Sequence, residues 1–158
     1  MNYKKNLIGK VETFYIDIIE EFKEAELQII ADSGFRSIFR KKNYDGNISR
    51  LKSCKKQALA INTEDINIPE NDNESRNVLK SFEKCLVLFN NLCDSYIRLQ
   101  MSLKKKAAKE PVKYSEYKEI FRKVQEAKDA LNGALHELDI VYTDYTYDEN
   151  SDPYKFLD

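Results

Sequence analysis

The chain has 158 residues, 42% of them hydrophobic and 34% charged, which is enough apolar material for one domain with a real core, and its net charge is −1. Four glycines and three prolines are too few for a turn-rich sandwich or barrel, so the expected class is all-α. The longest wholly apolar run, 85–89, falls far short of the roughly 20 residues that a membrane span requires, and no membrane partner is expected.

At the N-terminus, Lys4 and Lys5 precede apolar residues that Gly9, Lys10 and Glu12 interrupt, so no signal-peptide core is expected. Over 3–32, Leu7, Val11, Phe14, Ile18, Phe22, Ala25 and Ile29 hold one helical face, and Ser33-Gly34 offers a stop. A short helix is expected over 35–42, then a turn at Asn43-Tyr44-Asp45-Gly46. Asn47 then caps a helix to about 61 that carries Ile48, Leu51, Ala58 and Leu59. Residues 62–73, with Pro69, read as a loop that Ile66 and Ile68 pin to the body. The central helix spans about 74–108, where Phe82, Leu86, Phe89, Cys93, Tyr96, Gln100 and Leu103 step by fours and threes, widened by Cys85, Leu92 and Leu99. Pro111 ends that pattern. A last helix opens near Tyr114 or Ser115 with Tyr117, Phe121, Val124, Leu131, Leu135 and Leu138 facing inward.

The expected architecture is an elongated antiparallel helical bundle over 1–142, with three long helices and the short helical pair filling the fourth position. An acidic, Tyr-rich tail over 143–158 follows, because periodicity fails after Val141 and five acids meet one lysine there.

Catalytic and metal chemistry lack their usual residue patterns. A di-iron bundle needs paired Glu-x-x-His motifs, whereas His136 is the single histidine and Gly133 stands three residues before it. Cys54, Cys85 and Cys93 have none of the short spacings of a structural zinc site and suit packing as small apolar residues in a reducing interior. No Gly-rich phosphate loop or dinucleotide fingerprint occurs. No catalytic residue, metal or cofactor is therefore expected, and the chain is read as a non-enzyme. The cysteine usage points to the cytoplasm, and the bias to Lys, Asn, Ile and Tyr points to a low-GC bacterium.

The small net charge conceals strong segregation. Residues 12–32 carry seven acids and one base, whereas 35–60 carry Arg36, Arg40, Lys41, Lys42, Arg50, Lys52, Lys55 and Lys56 against Asp45 alone. Residues 62–75 hold five acids and no base, and 76–113 hold nine bases and three acids. The short helix, turn and helix over 35–61 resemble a helix-turn-helix, which implies an anion or nucleic-acid patch on those eight bases, with Lys104 to Lys113 adding to it. The competing expectations are that the acidic first helix neutralises them within the molecule or that they form an ordinary solvated face.

In the tail, Tyr145-Thr146-Tyr147-Asp148-Glu149 and Tyr154-Lys155-Phe156-Leu157-Asp158 fit a Tyr-x-x-x-acid pattern. It resembles the C-terminal signal of helical substrates of type VII secretion systems, although no Trp-x-Gly turn joins the helices. These residues together favour a non-catalytic bundle that binds another macromolecule, most of all a protein, with Tyr145, Tyr147, Tyr154 and Phe156 as partner contacts. Nucleic-acid binding through 35–61 is the alternative and a secreted helical effector the third reading; self-association as a homo-oligomer is left open.

Overall fold

The computed structural model describes residues 2–32 and 42–147, and all its regular structure is helical. Asn2 opens the first helix, its side chain accepting from the backbone N–H of Lys4 at 3.0 Å. That helix comprises α1 (Tyr3–Thr13), a π-helical segment (Phe14–Ile19) and α2 (Glu20–Asp32), joined without a break. The π segment falls within two steps of the apolar row. Phe14, Ile18 and Phe22 are separated by two successive steps of four, and eight residues of regular α-helix would carry Phe22 about 80° past Phe14. The wider i→i+5 turn removes that drift, and Phe14, Ile18 and Phe22 are all buried.

Helix α3 (Tyr44–Leu59) starts three residues before the expected cap. Asn43 performs the capping, its Oδ1 accepting from Gly46 N–H at 2.9 Å, and a Cβ at Gly46 would collide with that Asn43 side chain. Asn47 instead lies buried inside α3 and donates to Gln100 Oε1 at 3.1 Å. The loop that follows is held where expected, with Ile66 buried and Ile68 half-buried, while Lys10 Nζ donates to Asn62 O and to Asp65 Oδ1, the latter at 2.6 Å.

Helix α4 (Asn73–Ala107) is capped by Asp72, which accepts from Ser75 N–H at 3.1 Å. It ends in a left-handed residue, Lys109 at φ 61°, with Glu110 N–H bonded to Lys105 O at 2.9 Å and Lys109 N–H to Lys106 O at 3.0 Å. That pair of bonds is a Schellman closure with lysine in the usual glycine place. Helix α5 (Tyr114–Thr146) continues four residues into the segment expected to be tail.

The four helical arms pack against one another around α4. Tyr3 meets Asp72, Phe14 meets Phe82 and Phe89, and Phe22 meets Phe89 and Tyr96, so the first arm runs in the same direction as α4. Helix α3 runs the other way, through Asp45–Lys104, Asn47–Gln100 and Lys55–Asp94, as does α5, through Lys106–Tyr117, Lys84–Glu137 and Ser75–Tyr145. Phe14 stands edge-on to Phe89 at 5.5 Å between centroids and Phe22 edge-on to the same ring at 5.1 Å, which forms the middle of the core.

One expectation about α5 needs correction. Val124, Leu131 and Leu138 are buried, but Tyr117 and Leu135 are only half-buried and Phe121 is 46% exposed. Lys128 reaches Glu26 of α2 at 3.8 Å, and α2 has only six described residues left beyond Glu26. Among the described residues, the first turns of α5 therefore lean on α4 alone.

Candidate partner-binding surface

The thiols of Cys54, Cys85 and Cys93 are all buried. Burial pushes Cys54 up to about 11 and Cys85 to about 12, with Cys93 raised in the same way, so none is a ready thiolate. His136 is exposed on α5. Among the described residues, no group of three His, Cys, Asp or Glu side chains could hold a metal ion.

Buried or half-buried tyrosine–carboxylate pairs act as struts. Tyr96 donates to Glu26 Oε2 at 2.6 Å and Tyr15 to Asp139 Oδ1 at 2.7 Å, each tying the first arm to a neighbouring helix. Desolvation and then the adjacent carboxylate raise both phenols, which keeps them protonated donors. At the start of α4, Tyr3 donates to Asp72, Ser75 Oγ donates to Asp72 at 2.7 Å, and Ser75 Oγ lies 2.7 Å from the Tyr145 hydroxyl. Tyr145 thus packs on the body as part of α5, and Tyr147 is exposed at the end of that helix. Tyr154 and Phe156 lie outside the described residues.

The eight bases of the expected anion patch divide. Arg36, Arg40 and Lys41 lie outside the described residues. Arg50 is 3.5 Å from both Glu21 and Glu24 of the acidic first arm, and Lys55 is 2.7 Å from Asp94 on α4. Lys42 is half-exposed, while Lys52 and Lys56 are exposed. Arg50 is thus paired with the acidic first arm and Lys55 with α4.

Lys52 joins a different grouping, with Lys104 and Lys105 from the end of α4. With Asp45, Ile48, Met101, Ala108 and Glu110 they enclose an open cleft of about 410 Å³ where α3 meets α4. Ile48 and the 47%-exposed Met101 make its apolar floor, and Lys104 is tied to Asp45 at 2.7 Å. Three lysines thus face two carboxylates, and Lys106, Lys109 and Lys113 follow in the same helix end and loop. Helix macrodipole physics suits the arrangement, since cations gather at a helix C-terminus.

At the same end of α4, the opening turns of α5 expose an aromatic face. Tyr114 is 73% exposed, Tyr117 and Phe121 stack at 6.4 Å, and Lys118 and Lys106 sit over the Tyr114 and Tyr117 rings at 5.3 and 5.6 Å. Neither the cleft floor nor this open face follows from periodicity, which placed Tyr117 and Phe121 inside. The usable signal was Met101, an apolar residue off the buried stripe of α4 and three residues before the triple lysine. No family model, curated protein or solved structure matches this chain.

Proposed function

We propose that the protein is a non-catalytic, elongated antiparallel bundle, with an acidic aromatic tail, that acts in the cytoplasm by binding another protein. The observation that carries this reading is the cleft between α3 and α4, whose apolar floor and lysine rim suit an acidic segment bearing apolar or aromatic side chains. The aromatic face of α5 at the same end of α4 supplies further contact area of the kind that dominates protein interfaces.

Nucleic-acid binding is the second reading, favoured by the exposed Lys52 and Lys56 together with the lysine run at 104–106. Fluorescence anisotropy with labelled acidic-aromatic peptides, duplex DNA and single-stranded RNA separates the two. Peptide binding that survives Lys56→Glu and is lost in Lys52→Glu/Lys104→Glu/Lys105→Glu supports the first. Binding of a nucleic acid alone, weakening steeply as salt rises, supports the second and rejects the first.

A further inference from the structure

We infer that the cleft between α3 and α4 receives residues 148–158 of a second copy of this chain, so that copies associate head to tail. The inference rests on reading the cleft as a peptide-binding surface and names its occupant. Two properties of that segment match the cleft. It carries Asp148, Glu149, Asp152 and Asp158 against Lys155, opposite to the lysines of the rim. It also carries Tyr154, Phe156 and Leu157, which are suited to an apolar floor of Ile48 and Met101.

Geometry favours a segment from another molecule. Tyr145 is anchored at Ser75, near the start of α4, whereas the cleft lies at Met101 to Lys105. Twenty-six residues of helix separate Ser75 from Met101, about 39 Å at 1.5 Å per residue. From Tyr147, a fully extended chain reaches at most about 25 Å at Tyr154 and about 32 Å at Phe156. To bring those aromatics to the cleft of its own molecule the segment would have to run fully stretched along the body, whereas nothing limits their reach into a neighbour's. Because Tyr147 and the acceptor cleft lie at opposite ends of α4, the contact joins two different surfaces, and it repeats from copy to copy or closes as a reciprocal antiparallel pair.

Sedimentation of the full chain over a range of concentrations tests this. The expected result is a mass that rises with concentration and falls back as salt rises, from weak self-association through a small interface. Lys52→Glu/Lys104→Glu/Lys105→Glu disables the cleft, and Asp148→Lys/Glu149→Lys/Asp152→Lys disables the segment. Each variant alone should associate at least about tenfold more weakly than the parent, with circular dichroism confirming that it is folded. An equal mixture should associate again, because the unchanged segment of one variant meets the unchanged cleft of the other and the two reversed surfaces are themselves complementary.

A chain that stays monomeric throughout overturns the inference, as does association that both charge reversals leave intact. The full chain is also titrated with a labelled peptide of unrelated sequence but like composition. A monomeric chain that binds this peptide through Lys52, Lys104 and Lys105 overturns self-occupancy and retains the peptide-binding reading, whereas one that binds neither overturns both.

Discussion

Phe89 has no solvent exposure and touches the edges of both Phe14 and Phe22, so its ring is shared between α4 and the two halves of the first arm. Phe89→Ala removes those contacts and leaves a cavity that rigid neighbouring rings cannot fill, and it should cost about 3–5 kcal/mol in urea unfolding. A loss below about 1 kcal/mol would place Phe89 outside the core. Asp72 gives a pH signature. The Tyr3 hydroxyl, then the hydroxyl and backbone N–H of Ser75, hold its carboxyl at about 2, below the ordinary 3.8. The folded state thus favours the ionised form, and this contribution is complete above the ordinary value and disappears as the pH falls towards 2. Asp72→Asn should melt with a shallower decline than the parent between about pH 4 and pH 2. Parallel declines in the two proteins would show that the Tyr3–Asp72–Ser75 cluster is not coupled to folding.

The C-terminus of α4 contains a local cost that can be removed. Lys109 adopts φ 61°, where a side chain is disfavoured, in a Schellman closure that glycine makes without strain. Lys109→Gly should therefore stabilise the protein by about 0.5–1 kcal/mol, read as a raised urea midpoint. A lowered midpoint would mean that the closure is not populated in solution. Elements were legible wherever a long amphipathic row met a strong cap. The row from Phe82 to Gln100 located α4, and seven apolar positions located the first arm. Its π segment was not legible, because Val78, Phe82 and Leu86 make the same two steps of four and are buried in the regular helix α4. The start of α3 was missed by four residues because Asn43 and Asn47 are both competent caps, and only tertiary structure supplies Asn47 with its partner, Gln100.

At the scale of the molecule, charge was legible as a pattern along the chain but not as a surface. Arg50 and Lys55 belong to basic blocks in the sequence, yet each meets an acid from a distant segment, whereas Lys52, three residues from Lys55, meets Lys104 and Lys105 across the cleft. One-dimensional charge counts cannot distinguish these outcomes, because which face of α3 is covered depends on α2 and α4 together. The boundary between body and tail shows the same dependence. Composition placed it after residue 142, where Tyr142 still lies 3.4 Å from Glu12, but Tyr145 reaches Ser75 and helix continues to Thr146. Truncation should therefore have two distinct outcomes. A stop after Tyr147 leaves every one of these contacts in place and should move the melting temperature by only about 2–4 °C, on the order of 1 kcal/mol for a chain of this size. A stop after Val141 also removes Tyr142 and Tyr145, uncovering the Tyr3–Asp72–Ser75 cluster, and should cost at least about 2 kcal/mol more through lost ring burial and unpaired hydroxyl groups. Calorimetry on the two truncations decides the matter: equal melting temperatures would put the last turn of α5 outside the folded body, while a large loss from the longer truncation alone would place the working boundary at Tyr147.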